Sequence, residues 1–350
     1  MPSSLFISSF NMKKIGAYFI LIFSSLLLLI CYSPELLKRT AHFFGENGGV
    51  FASTRYQYGD LYGLSNDAKF RIPKPENTLK LLDSFVVDSK DLDLVMLGDS
   101  YFYSFFQTNA NNFERIKQFD FVRWSDKTNL QIPPKSNRKR ILLIEVVERN
   151  AFDHLQLSFT KKRLSPEKSG TTLNEENPFL VENNLEAILF DHAFFRPFKE
   201  LKTYIWKDFL KKEIPGVRYS SDGSFMYLSE TVEGSQVGNS FSYLSEMEKV
   251  SLEKQLNQIN SYYLKNGFDK VCLTIIPNPV RVLEKGRKAN DLFDFLSTNK
   301  NIGLSFVNVL PVLSKNAEQN FYRSDSHWNL KGAEKYRSLV NETLLSFGKN

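Results

Sequence analysis

A serine, a histidine and a carboxylate occupy positions from which they could act together. Ser100 ends a Gly-Asp-Ser tripeptide that follows an apolar run over residues 92–97, and Asp325 and His327 stand two positions apart near the end of the chain. A serine hydroxyl becomes a good nucleophile when an imidazole takes its proton, and the imidazole needs a carboxylate to fix its tautomer. The three residues predict acyl transfer, with Ser100 as nucleophile, His327 as general base and Asp325 as its orienting carboxylate.

Each half of this constellation also has a purely structural interpretation. Gly, Asp and Ser are common in an ordinary turn after a strand, and Asp325 with His327 could be polar side chains in a loop before a helix. The other histidines are weaker candidates, because His42 lies beside an apolar segment and His154 and His192 follow no clear strand. The catalytic interpretation is favoured because both halves occur in one chain.

Further polar residues stand where predicted strands end. Arg149 and Asn150 follow the apolar run 141–147. Arg149 could bind an oxyanion or a substrate, and a salt bridge to a nearby acid is equally compatible with its position. The predicted oxyanion and substrate-binding set consists of Asp99, Arg149, Asn150, Asn278 and Trp328. The two cysteines, Cys31 and Cys272, form no cluster that would suggest zinc, and neither a metal nor a cofactor is predicted.

The elements that must position these residues form an α/β pattern. Continuous apolar runs predict buried strands over residues 92–98, 141–147 and 271–276, with a shorter one over 304–309. Helical patterns lie between and after them, over residues 247–265, 288–296 and 331–345. Such alternation favours a mainly parallel sheet covered on both faces, a three-layer α/β/α sandwich. Ligands bind at the carboxyl ends of strands in such sheets.

The N-terminal region predicts a membrane anchor. Residues 15–32 carry no charged side chain, follow Lys13 and Lys14, and would span about 27 Å as a helix. A cleaved signal peptide is the alternative, but residues 30–32 (Ile-Cys-Tyr) lack the small side chains of a cleavage site. We therefore expect a single-pass protein of the inner (cytoplasmic) membrane whose large C-terminal part is extracytoplasmic.

The chain is predicted to have three parts. Residues 1–40 form a tail and a transmembrane signal anchor, residues 41–90 form an irregular connection, and residues 91–346 form an α/β domain. Residues 151–245 do not fit the strand and helix alternation and are expected to be an insertion, with a helix over 194–212 and a hairpin around 221–224.

Composition limits the classes of partner. The chain of 350 residues has a net charge of only +6, and no long basic stripe or reading motif for nucleic acid occurs in it. An acidic polysaccharide is compatible with the small basic excess.

The motifs together resemble the SGNH (GDSL-type) hydrolase superfamily, and specifically its branch similar to the alginate O-acetyltransferases. The resemblance covers about residues 90–340 without the insertion and is carried by four blocks: Gly98-Asp99-Ser100, Glu145-Val146-Val147-Glu148-Arg149, Ile276-Pro277-Asn278, and Asp325-Ser326-His327-Trp328 followed by Gly332-Ala333. The chain departs from the superfamily in having Ser324 three residues before the histidine and in lacking the Gly-x-Asn-Asp block. Its Asp-x-His block also follows the serine, whereas in the alginate enzymes it precedes the serine.

The resemblance implies an SGNH-like fold and transfer of an acetyl group through an acetyl-Ser100 intermediate. It further implies that Asp325 orients His327, that the Ser100 amide contributes to the oxyanion hole, and that a multispanning membrane acyltransferase supplies the acetyl group. We therefore expect an extracytoplasmic O-acyltransferase acting on a cell-envelope or exported polysaccharide. The alternatives are a carbohydrate esterase and a non-catalytic glycan-binding envelope scaffold.

Overall fold

A computed structural model describes residues 4–32, 57–75, 79–80, 90–106, 109–126, 128–167, 196–233 and 238–347 of the chain. The chain divides into two compact units. The first, which we call the N-terminal unit, comprises residues 1–58, 66–68 and 175–212, and the second, the α/β unit, comprises residues 59–65, 69–174 and 213–350. All residues of the predicted site belong to the α/β unit.

The described strands and helices alternate along the chain. The strands are β1 Leu92–Gly98, β2 Ile116–Arg123, β3 Leu130–Gln131, β4 Lys139–Val147, β5 Leu164–Ser165, β6 Val217–Tyr219, β7 Met226–Leu228, β8 Lys270–Ile276 and β9 Ser305–Phe306. The α-helices are α1 Ser4–Tyr32, α2 Asp60–Ser65, α3 Ser100–Tyr103, α4 Ala151–His154, α5 Leu157–Arg163, α6 Arg196–Tyr204, α7 Ser229–Val232, α8 Glu246–Lys265, α9 Pro279–Leu283, α10 Leu292–Thr298, α11 Leu310–Ser314 and α12 Leu330–Ser346. Short 3-10 turns occupy Ala68–Phe70, Ala110–Asn112, Glu148–Asn150 and Ala317–Gln319, and Ile205–Phe209 forms a π-helix.

Five strands form one parallel sheet in the order β2-β1-β4-β8-β9. Numbered by chain order within this sheet, that order is 2-1-3-4-5, a doubly wound arrangement whose winding reverses between β1 and β4. Ligands bind at such a reversal, outside the carboxyl ends of the two strands. The prediction of an α/β fold with a mainly parallel sheet is confirmed, and Ser100 and Arg149 follow the two strands that flank the reversal.

The central strands of the sheet are buried on both faces, except at Lys139 and Lys270, the first residues of β4 and β8. In β1, Leu94 and Met96 pack with α12 in one core, whereas Val95 and Leu97 pack with α8 and α10 in the other. This alternation follows from the two-residue period of a strand. Continuous apolar runs are therefore required on β1, β4 and β8, and they supply a rigid support for the residues beyond the strand ends.

The two long helices of the α/β unit begin at recognisable caps. Ser245 and Glu248 form a capping box at the start of α8, and the Asn329 side chain accepts hydrogen bonds from the first amides of α12. The predicted helices over 247–265 and 331–345 are thus confirmed. The helix predicted over 288–296 begins later, at Leu292.

The region predicted as an insertion is divided between the two units. Residues 175–212 belong to the N-terminal unit, where α6 and the π-helix occupy most of the helix predicted over 194–212. Residues from 213 onward belong to the α/β unit, and β6 and β7 form the predicted antiparallel hairpin.

The N-terminal segment is helical over Ser4–Tyr32. Its side chains are described at residues 14–26, 28 and 29. Among the residues that the structure describes, no helix is both long and apolar enough to cross a membrane. The structure therefore does not support the predicted transmembrane helix.

Candidate active site

Ser100 begins α3, directly after a turn that is fixed by Asp99. One Asp99 carboxylate oxygen accepts a hydrogen bond from the Tyr101 amide at 2.8 Å, and the other accepts one from the Val147 amide at 3.1 Å. Asp99 therefore caps the short helix and ties the turn to the end of β4. It was predicted among the oxyanion and substrate-binding residues, and the structure gives it this supporting position instead.

The turn lies on a buried carboxyl group. The Asp99 amide donates a hydrogen bond to Glu145 Oε2 at 2.9 Å, and a Cβ atom on Gly98 would approach the same oxygen to 2.7 Å. A larger residue at position 98 would require the Glu145 side chain to shift. Burial, together with the neighbouring Asp99 carboxylate, raises the pKa of Glu145 well above its ordinary value. The uncharged form of Glu145 is thus favoured relative to that of an exposed glutamate.

The three predicted catalytic residues form one hydrogen-bonded chain. Ser100 Oγ lies 2.7 Å from His327 Nε2, and His327 Nδ1 lies 2.6 Å from Asp325 Oδ1. The His327 amide also donates to Asp325 Oδ1, at 3.0 Å, which fixes the loop that carries both residues. Asp325 is buried, whereas Ser100 and His327 are partly exposed. A substrate can thus reach the hydroxyl while the carboxylate stays shielded from water.

Asp325 is held as an anion by cationic and hydrogen-bonding partners. Its Oδ2 atom lies 2.5 Å from Lys74 Nζ and accepts a hydrogen bond from the Asp60 amide at 3.2 Å. Burial would raise the pKa of Asp325, but the hydrogen bonds and charges of His327 and Lys74 outweigh burial and hold that pKa well below its ordinary value. The group beside the imidazole is therefore ionised at neutral pH, as an orienting carboxylate must be.

A second carboxylate, Asp60, stands on the same side of the imidazole. Asp60 Oδ1 accepts a hydrogen bond from the Ser326 amide at 2.7 Å, and Asp60 Oδ2 accepts one from the Ser326 hydroxyl. Asp60 Oδ2 lies 3.8 Å from His327 Nδ1. Donor atoms of Asp60, Asp325 and His327 lie within 4.8 Å of one another, but Ser326 and Lys74 already engage the carboxylates. This arrangement is that of a charge network around an imidazole.

Asp60 and Lys74 come from the segment predicted as an irregular connection, and sequence reasoning missed both. Gly59 has φ +103°, and a Cβ atom on it would lie 2.2 Å from the Ser324 carbonyl oxygen. The Tyr62 amide donates to that same oxygen at 3.1 Å. Only glycine permits this close approach of two backbones. In the sequence, the Tyr-Gly-Asp tripeptide at 58–60 indicates a turn but not that Asp60 lies beside His327.

Aromatic rings support the imidazole from the protein side. The Tyr101 ring centroid lies 4.5 Å from that of His327, and its hydroxyl donates to the Ser326 carbonyl. Trp328 meets Tyr101 edge to face at 5.3 Å and donates from its indole nitrogen to the Tyr101 carbonyl at 3.1 Å. Trp328, which was predicted to contact the substrate, is 0% exposed. It is a core residue that positions Tyr101.

Arg149 and Asn150 lie at the end of β4 and are partly buried. The Arg149 guanidinium lies 5.9 Å from the Tyr101 ring centroid and 3.9 Å from a Glu230 carboxylate oxygen, and its buried Nη1 atom has no hydrogen-bond partner in the described part of the chain. Within the same residues, the Asn150 side chain makes no hydrogen bond. These two side chains retain donors that a ligand at the sheet edge could use.

Asn278 belongs to a separate, buried network, in which its Oδ1 atom has no hydrogen-bond partner among the described residues. Its amide nitrogen donates to the Gly238 carbonyl at 3.1 Å and to Ser240 Oγ at 3.0 Å, and its backbone amide donates to Glu148 Oε2 at 2.9 Å. Glu148 also pairs with Arg281 at 2.8 Å, and Asn278 is 0% exposed. None of these contacts involves the triad. Asn278 was predicted to bind substrate, and the structure instead uses it to close the end of β8.

The arrangement can perform nucleophilic acyl chemistry. It combines a reachable hydroxyl, an imidazole in contact with it, an ionised carboxylate behind the imidazole and unused donors at the neighbouring strand end. Comparison with known proteins gives no match, whether to protein-family models, to curated proteins or to solved structures.

Proposed function

We propose that the protein is a serine-dependent O-acyltransferase that acts on a cell-envelope or exported polysaccharide. The observation that carries the proposal is the unbroken hydrogen-bonded chain from Ser100 Oγ through His327 to the buried Asp325. Its geometry supports both protein-side requirements of covalent acyl transfer, a base within hydrogen-bond reach of the nucleophile and an acid that orients the base.

In the first half-reaction, Ser100 Oγ attacks the carbonyl carbon of an acyl donor while His327 Nε2 takes the hydroxyl proton. The resulting imidazolium is stabilised by Asp325, with Asp60 as a second negative charge nearby. Collapse of the tetrahedral intermediate breaks the bond to the leaving group, which receives the proton from His327. The acyl group then remains as an ester on Ser100.

In the second half-reaction, a sugar hydroxyl attacks the acyl-Ser100 ester and gives its proton to His327. The Ser100 oxygen recovers a proton from the imidazolium as it leaves, and the acyl group ends on the sugar oxygen. An esterase differs only in that water takes the place of the sugar. The transferase is preferred because the Asp325-Ser326-His327-Trp328 block resembles that of the alginate O-acetyltransferases in the SGNH superfamily.

The oxyanion of each tetrahedral intermediate needs hydrogen-bond donors. The Ser100 amide forms no hydrogen bond within the described residues and begins α3, so we assign it the first donor position. Arg149 and Asn150 supply the remaining donors in this proposal, because they lie at the neighbouring strand end with unused donor groups.

The membrane part of the proposal comes from the sequence. Residues 15–32 carry no charged side chain and belong to the continuous helix α1. From this composition we propose that residues 15–32 anchor the protein in the inner (cytoplasmic) membrane as a single span, with the α/β unit extracytoplasmic and a multispanning acyltransferase as acyl supplier. Resistance of the full chain to alkaline extraction from membranes, and its digestion by protease added to the outer side, are the expected results.

The chemistry is tested with the full chain, p-nitrophenyl acetate as donor and an oligosaccharide as acceptor. Mass spectrometry is expected to find an acetyl group on Ser100 without acceptor and acetylated sugar when acceptor is present. Ser100→Ala should abolish both products. Ser104→Ala is the matched control, because Ser104 lies on the exposed side of the turn that ends the same helix.

Acetate release without sugar acetylation would identify an esterase. Absence of both the acetyl-enzyme and turnover, in a wild-type protein that binds glycan, would instead favour the non-catalytic scaffold.

A further inference from the structure

The helical segment Arg196–Phe209, formed by α6 and the following π-helix, has its apolar face turned toward solvent. Its apolar residues recur at the spacing that places them on one side of a helix. The stripe consists of Phe198, Leu201, Ile205 and Phe209, which are 63%, 55%, 44% and 76% exposed. A surface helix normally packs such a stripe against the protein core, whereas here the stripe faces solvent.

The opposite face of the helix is the one that contacts the protein. Arg196 donates to the Tyr58 hydroxyl at 3.0 Å, Lys207 pairs with Asp67, and Thr203 is buried. All of these residues belong to the N-terminal unit. The helix is thus fixed by its polar side, and the outward direction of its apolar stripe follows from contacts within one compact unit.

The charges around the stripe indicate what covers it. Residues 196–212 contain six basic and two acidic side chains. Arg196 and Lys207 contact the protein on the opposite face, and the other four basic residues are the lysines at positions 199, 202, 211 and 212. Lys202, Lys211 and Lys212 are exposed, and the Lys212 ammonium lies 4.5 Å from the Trp206 ring centroid. A basic segment with exposed Phe, Tyr and Trp side chains has the composition of a helix that lies in the interface of an anionic bilayer.

A second copy of the chain fits this face less well. A two-fold dimer would place the same patch against itself, so the basic flanks would face each other. An anionic lipid surface instead attracts these flanks, each lysine near the surface contributing about a fivefold gain in affinity. The compact unit that carries this helix also carries α1, the proposed anchor.

We infer that the segment Arg196–Phe209 is a second membrane contact, which lies flat in the headgroup region of an anionic bilayer with its stripe in the acyl chains. This inference rests on the membrane location given under the proposed function and is independent of the acyl chemistry. The ligand is the surface of a bilayer rich in acidic phospholipid.

Trp206 makes the inference directly measurable. The chain has three tryptophans, and Trp124 and Trp328 are buried, so a quencher in lipid reports on Trp206. The full chain is reconstituted in phosphatidylcholine vesicles containing phosphatidylglycerol, with bromine on the acyl chains either near the headgroup or near the methyl end. We expect strong quenching of Trp206, greater with bromine near the headgroup, and none in Trp206→Phe.

Two variants separate the apolar and ionic parts of the contact. Leu201→Ser with Phe209→Ser should abolish the quenching, and Lys202→Gln with Lys211→Gln and Lys212→Gln should remove its dependence on phosphatidylglycerol. Met247→Ser with Val250→Ser is the matched control, since it removes two exposed apolar side chains from α8 and should change nothing. Ser100→Ala should keep full quenching, and the Leu201 and Phe209 variant should keep p-nitrophenyl acetate turnover.

Iodide, a quencher that stays in water, tests whether Trp206 is exposed to solvent when the protein is in vesicles. Quenching of Trp206 by iodide but not by brominated lipid, in vesicles, would overturn the inference because the face would lie in water. Protection of Trp206 from both quenchers would also overturn it, because another protein surface would then cover the stripe.

Discussion

Two polar clusters stand at the carboxyl ends of neighbouring strands, and they are built in opposite ways. The catalytic cluster consists of Ser100, His327, Asp325, Asp60 and Lys74, and the Glu148 cluster consists of Glu148, Arg281, Asn278, Ser240 and Asn290. Both contain a buried carboxyl group, Asp325 in the first and Glu148 in the second. In the catalytic cluster the hydrogen-bonded chain leads outward to a partly exposed hydroxyl, whereas in the Glu148 cluster each bond leads back into the protein.

The difference shows that polar residues at a strand end do not by themselves define a site. Glu148 and Asn278 are both 0% exposed, so neither side chain presents a surface to solvent. His327 keeps one ring nitrogen on Ser100 and the other on Asp325, at the boundary with solvent. Three substitutions test whether one cluster serves chemistry and the other stability.

The largest effect is expected for Asp325→Asn in the catalytic cluster. The amide cannot stabilise the imidazolium and favours the wrong tautomer of His327, so the rate of acyl transfer should fall about 10⁴-fold. Steady-state kinetics with p-nitrophenyl acetate measures this loss. A rate within tenfold of wild type would mean that Asp325 is not the orienting group.

The pH dependence of the free energy of unfolding tests the ionisation of Asp325. The pKa of Asp325 in the folded protein lies below its ordinary value, so its interactions stabilise the fold above about pH 4 and are lost as the pH falls through the folded pKa. The free energy of unfolding of wild type should therefore decline more steeply below that pH than that of Asp325→Asn. Equal slopes in urea titrations would contradict this assignment.

The second effect is on stability and belongs to the Glu148 cluster. Glu148→Ala leaves the Arg281 guanidinium buried without its carboxylate, and the free energy of unfolding should fall by about 3–5 kcal/mol. Acyl transfer per folded molecule should stay within twofold of wild type. Urea unfolding together with active-site titration measures both quantities.

A double variant is the control for this prediction. Glu148→Met with Arg281→Met removes both charges, so most of the lost stability should return. If instead Glu148→Ala folded normally but lost activity as severely as Asp325→Asn, the division between the two clusters would be wrong.

The smallest effect is expected at Asp60, which acts on the imidazole from 3.8 Å. Asp60→Asn preserves the shape but removes one negative charge beside the imidazolium, so kcat should fall about tenfold with KM unchanged. Asp91→Asn is the matched control, because Asp91 is 48% exposed and pairs with Arg115, outside the hydrogen-bonded network of His327. A change in KM alone would show that Asp60 contacts the substrate.

Much of the fold was predictable because its strongest signals are local. Continuous apolar runs predict that β1, β4 and β8 are buried. Apolar residues at helical spacing predict which face of α8 and α12 is buried. Strand β2 was missed. It lies at the edge of the sheet and is mostly half-buried, so charged residues such as Lys117 and Asp120 interrupt its apolar pattern.

The candidate site was predictable only where two blocks carry their own signatures. Ser100, Asp325 and His327 could be named because each stands in a short motif. Asp60 and Lys74 could not, since their partner Asp325 is more than 250 positions away and nothing local marks the contact. Trp328 and Asn278 were assigned to the substrate because sequence cannot tell a buried polar or aromatic side chain from one that lines a site.

The contact between Gly59–Asp60 and the Ser324–Asp325 loop has a consequence for how the protein is made. Residues separated by 265 positions must meet before the site exists. Such a long-range contact has a high loop-closure cost and slows folding. Under the proposed function, a chain still emerging from the ribosome carries Ser100 without its base, and a chain that stops short of residue 325 lacks both Asp325 and His327.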